Sequence, residues 1–248
     1  GFITDVLTDK AMEWIEANRD HPFFCYIPFN APHTPFQVPD SYYKKYEARG
    51  CDAETATIYG MVENIDDNMG RLLLKVTELG LEEKTIVLFL TDNGPNTRDR
   101  YNAGMKGFKG CVDEGGVRVP LFVRWSGHVE PGGVVRDLAA HIDLLPTLMD
   151  LCGIDIPETL QLDGITLNPL LMNNRTVRSD RFIFTHRYWG NELQLRNGAA
   201  RSRQFRYVLT NGEESLYDLV NDPGQKRNIS QEQPAVFERL RTAYGDWF

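Results

Sequence analysis

Ile58, Met61, Val62, Ile65, Met69, Leu72, Leu73, Val76 and Leu79 recur at steps of three and four, the apolar stripe of one long amphipathic helix. Gly80 closes it, and residues 85–90 follow as TIVLFL, a short apolar run of the kind that forms a strand buried on both faces. That strand stops abruptly in Thr91-Asp92-Asn93-Gly94-Pro95. The same alternation recurs on either side. Residues 8–18 carry Ala11, Met12 and Ile15, which predicts a helix capped by Thr8 or Asp9. His21-Pro22 stops it, and residues 23–29 read as a strand. Residues 119–125 predict a third strand, and 143–151 a helix with Pro146 in its first turn. Strands alternating with helices specify an α/β domain with a mixed, largely parallel sheet flanked by helices.

From about residue 160 the texture changes. Residues 182–185, 206–210 and 215–219 are short strand candidates, and Asn211-Gly212 marks a hairpin between the last two. A closing helix runs through Ala235, Phe237, Leu240 and Tyr244. The expected organisation is therefore an α/β part over 1–160 and a small α+β subdomain over 161–248, made of an antiparallel sheet and one helix. With 35 acidic side chains against 27 Lys and Arg, the charge is −8, so there is no basic excess for nucleic acid or an anionic membrane. No apolar run reaches the roughly 18 residues of a membrane span. The four cysteines show no CxxC pair, which removes zinc-ribbon and dithiol redox readings. Cys25 and Cys152 lie in apolar runs and read as core thiols. The chain starts at Gly1 with no Met and no targeting signal in view.

In open α/β sheets ligands collect beyond the carboxyl ends of the strands. His33 follows the first strand candidate there, and Asp92 with Asn93 follows the second. Carboxylate and amide oxygens suit a hard cation such as Ca²⁺ or Mg²⁺, while Asp-Asn-Gly is equally the composition of a tight turn. Asn102-Ala103-Gly104-Met105-Lys106-Gly107-Phe108-Lys109-Gly110 sets two lysines among glycines, a pattern that can hold a tetrahedral anion or form a solvated loop. It is not a Walker loop.

Five motifs in order carry a family resemblance. They are Ala31-Pro32-His33-Thr34-Pro35, Leu90-Thr91-Asp92-Asn93-Gly94, the block from Gly107 to Pro120 (GFKGCVDEGGVRVP), His141-Ile142-Asp143-Leu144-Leu145-Pro146-Thr147-Leu148, and Leu216-Tyr217-Asp218-Leu219-Val220-Asn221-Asp222-Pro223. Together they resemble the carboxyl-terminal half of a type I sulfatase, arylsulfatase-like and of the alkaline phosphatase superfamily. The resemblance implies that Asp92 and Asn93 are two ligands of a divalent cation, usually calcium. It implies that His33 hydrogen-bonds the sulfate ester and helps the leaving oxygen depart. Lys109, which keeps the family's five-residue step to Glu114, would hold the sulfate oxygens, with Lys106 at the pocket rim. Glu114, Gly115, Gly116 and Arg118 would be scaffold, Glu114 pairing with Arg118. Arg187, Tyr188 and Trp189 are candidates for substrate contact.

The resemblance also marks what is missing. Family sulfatases attack with a formylglycine made from the first residue of C/S-x-P-x-R, and no Cys or Ser here begins that pattern. The paired aspartates that complete the metal site are absent too. The expectation is a fragment, inactive alone and binding calcium weakly or not at all, whose missing amino-terminal half is its natural partner. The substrate would be a sulfate-ester small molecule or sulfated sugar, and the compartment a periplasmic, secreted or lysosomal one. A phosphoesterase or phosphonate hydrolase of the same superfamily, or a non-catalytic module on this fold, are the alternative readings.

Overall fold

A computed structural model describes residues 1–173, 180–188 and 195–248. The chain divides into two compact units, residues 1–87 with 125–127, and residues 88–124 with 128–248.

The first unit is built on α1 (Ile3–Asn18), α2 (Asp40–Glu47) and α3 (Ala53–Glu78). In α3 the Asp52 carboxylate accepts the Thr55 N–H at 3.0 Å, and Gly80 at φ +67° ends the helix in the left-handed conformation. Met61, Ile65, Leu72 and Val76 are buried as the stripe requires, whereas Val62 faces outward. The hidden face also carries Asn64 and Asn68, whose amide N–H groups donate to Asp5 Oδ1 of α1 at 2.9 and 2.8 Å, so these buried donors are paired. Helix α1 starts earlier than its periodicity suggests. Thr8 is not its cap but a buried interior residue whose hydroxyl donates to the Thr4 carbonyl at 2.8 Å. Helix α2 has no buried residue and so left no apolar stripe to read.

The strand expected over 23–29 is absent. The segment is extended, with Phe23, Cys25 and Ile27 packed on the cluster of Ala11, Ile15, Leu72, Val76 and Leu81, while Phe24 and Tyr26 are each 76% exposed. The period of two is present, but among the described residues no neighbouring strand supplies a ladder.

In the second unit β1 (Val87–Leu90) pairs with β2 (Leu121–Arg124), each shorter than its apolar run. A single helical turn, α4 (Glu114–Val117), precedes β2. A 3-10 turn over His141–Asp143 leads into α5 (Leu144–Leu151), with α6 (Asn168–Asn173) beyond it. Cys152, expected in the core, is instead an exposed C-cap of α5.

The carboxyl-terminal sheet is antiparallel in the order β3 (Ile183–His186), β4 (Asn197–Arg201), β5 (Phe205–Thr210), β6 (Glu213–Asp218), closed by α7 (Pro234–Trp247). Asn211 and Gly212 both take positive φ in the hairpin turn, as the Asn-Gly pair requires. Alternation along the strands then sorts the two faces. Ala200, Tyr207, Leu209 and Leu216 pack beneath Leu240 and Tyr244 of α7. Ala199, Val208 and Tyr217 turn the other way, onto Val112. Among the described residues no helix is long and apolar enough to cross a membrane.

Candidate active site

Leaving β1, the chain is fastened at three points around Asp92 and Asn93. The His141 ring lies with Nε2 2.9 Å from the Thr91 carbonyl oxygen. The Gly94 N–H donates to the Gly116 carbonyl at 3.0 Å, and the Lys109 N–H donates to the Pro95 carbonyl at 2.7 Å. Two of these bonds run to the glycine-rich block, so the Asp-Asn turn and the lysine loop share one backbone frame. The glycines are required by contact. A β-carbon on Gly94 would lie 1.9 Å from the Gly115 carbonyl oxygen, and one on Gly116 would lie 2.2 Å from that of Cys111. Gly107 and Gly110 turn the lysine loop at φ +89° and +84°.

The frame is seated on the second face of the carboxyl-terminal sheet. Cross-strand register places Arg201 opposite Arg206, and Arg206 opposite Tyr217. Two like charges side by side repel, and the Glu114 carboxylate resolves this by accepting from Arg206 at 2.8 Å and Arg201 at 3.1 Å through one oxygen. Arg206 also donates to the Val112 carbonyl at 2.9 Å and is 2% exposed. Burial lowers the pKa of both guanidiniums, with Glu114 opposing it. The expected Glu114–Arg118 pair is present at 3.7 Å, but Arg118 is exposed, so the buried partners dominate. Gln225 completes the seat, accepting the Glu114 N–H at 2.7 Å and donating to Asp113 at 3.1 Å. Sequence reading missed Arg201, Arg206 and Gln225. Their only signal was Arg206 inside a strand segment, where an unpaired charge is costly.

The two lysines differ. Lys106 Nζ donates to the Tyr217 hydroxyl at 2.8 Å, lies 3.3 Å from Asp113 and sits 4.7 Å over the Tyr217 ring. Burial works against its charge, but the Tyr217 hydroxyl and Asp113 outweigh it and its pKa is raised. Lys109 is half-buried, and among the described residues its ammonium has no hydrogen-bond or ion-pair partner. Asp92 is exposed, with Oδ1 accepting the Asn93 N–H at 2.9 Å. One carboxylate and one amide oxygen match a hard cation in kind, but such ions take about six to eight oxygens. Among the described residues no group of three His, Cys, Asp or Glu could hold a metal. A cation held at Asp92 and Asn93 would therefore need further donors.

His33 belongs to the first compact unit. It lies exposed in the turn between Pro32 and Pro35, its N–H donating to the Asn30 carbonyl at 2.9 Å, with Nδ1 3.1 Å from the Thr34 hydroxyl. Asp92, Asn93, Lys106 and Lys109 are brought together in the second unit. Arg187 continues the β3–β4 ladder, its N–H donating to the Asn197 carbonyl at 2.8 Å, and its guanidinium carbon lies 3.3 Å from where a Gly110 β-carbon would be. Tyr188 is exposed, and Trp189 lies outside the described residues.

The profile described as Sulfatase matches residues 2–154, and that of N-sulphoglucosamine sulphohydrolase, C-terminal, matches residues 108–242. "Uncharacterized sulfatase YdeN" of Escherichia coli K12 is 32% identical over 97% of this chain and 49% of its own length. Human arylsulfatase A is 32% identical over 97% of this chain and 50% of its own length. The crystal structure of Ps i-CgsB matches with a TM-score of 0.91 at 28% identity, over 99% of this chain and 55% of that one. The chain thus spans about half the length of the curated relatives it matches. It belongs to the sulfatase family.

Proposed function

We propose that this chain supplies the cation-holding and sulfate-holding half of a sulfuric ester hydrolase. The observation that carries the reading is the shared frame: Gly94 bonds Gly116 and Lys109 bonds Pro95, so the Asp92–Asn93 donors and the Lys109 ammonium are set by the same backbone. Cleaving a sulfate monoester places charge on the nonbridging oxygens and on the departing oxygen. Lys109, whose ammonium has no hydrogen-bond or ion-pair partner among the described residues, offsets the first, and the family resemblance assigns the second to His33. Asp92 and Asn93 would hold Ca²⁺ or Mg²⁺, which when bound polarises the sulfate oxygens. Lys106, engaged by Tyr217 and Asp113, holds the loop and stands at the pocket rim. The attacking formylglycine would come from a C/S-x-P-x-R segment, which this sequence lacks.

A sulfated sugar is the favoured substrate. Ps i-CgsB has been solved in complex with k-i-k-neocarrahexaose, and Arg187 and Tyr188 are suited to sugar contact. The test is turnover by this chain joined to the amino-terminal half of the kind its relatives carry. An aryl sulfate is cleaved in preference to an aryl phosphonate, and Lys109→Ala lowers kcat/KM by about 10²–10³-fold. Preference for the phosphonate would favour the phosphonate hydrolase reading, and turnover of neither the non-catalytic one.

A further inference from the structure

We infer that His141 is a positioning residue for the Asp92–Asn93 donor pair, an inference that rests on the metal role proposed for that pair. Thr91 is the first residue beyond β1, and its carbonyl has left the ladder. The His141 ring meets it at 2.9 Å through Nε2. A carbonyl only accepts, so Nε2 carries the proton. The loop is then held at Thr91 on one side of the donors and at Gly94 and Pro95 on the other. The backbone torsions of Asp92 and Asn93 are confined between those anchors, and with them the directions in which the two side chains leave.

The turn that carries His141 is tied down by buried hydrogen bonds and an ion pair. Asp143 is fully buried, and its carboxylate accepts the Ala140 N–H at 2.8 Å, the Ile165 N–H at 3.0 Å and two Arg181 N–H groups at 2.8 and 2.6 Å. Its carbonyl accepts the Thr147 hydroxyl at 2.6 Å, and that hydroxyl in turn accepts the Leu167 N–H at 2.8 Å. Moving His141 would disturb a buried ion pair. The exposed imidazole is thus a strut from a buried hub to the loop that would take the cation, and outer contacts of this kind tune metal affinity.

The experiment uses the ¹⁵N-labelled chain with calcium as the probe, comparing wild type, His141→Phe, His141→Gln and Asp92→Asn. His141→Phe is expected to shift or split the amide signals of Asp92 and Asn93 before calcium is added, and to weaken the calcium-dependent shifts about tenfold. His141→Gln, whose amide N–H can replace the Nε2 donor, restores both to within about twofold. Should His141→Phe fail to fold, the wild-type imidazole decides. At about pH 8, above the ordinary imidazole range, its nitrogen shifts must show a protonated Nε2, and a protonated Nδ1 with bare Nε2 overturns the inference. Wild-type amide signals and calcium response in His141→Phe also overturn it. If Asp92→Asn leaves the calcium response unchanged, the metal reading fails, while the calcium-free signals still decide the role of His141.

Discussion

At the residue scale the weight rests on Glu114, a carboxylate 3% exposed that serves Arg206 and Arg201 at once. Replacing it with Gln leaves two guanidiniums side by side in a buried place without the carboxylate they share. Glu114→Gln is expected to destabilise the chain by about 3–5 kcal/mol in urea unfolding, and a loss below about 1 kcal/mol would contradict its role as the hub. Here the sequence was informative in an uneven way. The spacing of the lysine loop to Glu114 and the two glycines after it marked a constrained backbone, and the contacts of Gly94 and Gly116 show why. The partners of Glu114 lie some 90 residues downstream, and register between strands, which no local pattern encodes, brings them in. The Arg118 pair was legible because it is local, and it is the weakest of the three contacts.

At the scale of elements, periodicity served where an element buries one face and failed where packing overrides propensity. Helix α3 and the Asn-Gly hairpin were legible. Strand β4 was not, because Asn197-Gly198-Ala199-Ala200-Arg201 has low strand propensity. Small residues are needed there: a β-carbon on Gly198 would lie 1.7 Å from the Tyr244 hydroxyl oxygen of α7. That hydroxyl sits 2.6 Å from His186 Nδ1. Burial pushes the Tyr244 phenol up to about 12. It also raises Tyr207, whose hydroxyl donates to Glu214 at 2.6 Å. A folded-state pKa above the unfolded value near 10 contributes stability that is full below about pH 10 and lost as pH rises through the folded value. Alkaline titration is therefore expected to show late tyrosinate absorbance rising together with loss of sheet circular dichroism above about pH 10. Ionisation of every tyrosine near pH 10 with the sheet signal intact would contradict this.

At the scale of the whole molecule, residues 23–29 show what the chain has and what it leaves uncovered. The apolar run was legible as strand-like, and one face does pack, but Phe24 and Tyr26 remain 76% exposed on a segment without a ladder among the described residues. Such a row favours association. The chain alone should bind a hydrophobic dye and sediment in a concentration-dependent way, and Phe24→Ser with Tyr26→Ser should reduce both without lowering the melting temperature. Unchanged sedimentation in that double variant would place the association elsewhere. The candidate site has the same character, with the proposed cation donors and the lysine proposed to hold sulfate on one frame but no nucleophile motif in the sequence. The most direct measurement is release of the aryl alcohol from an aryl sulfate, assayed with calcium for the 248-residue chain alone and for the chain joined to an amino-terminal half bearing C/S-x-P-x-R. Turnover by the joined polypeptide and none above background by the chain alone is the expected result. Robust turnover by the chain alone would contradict it.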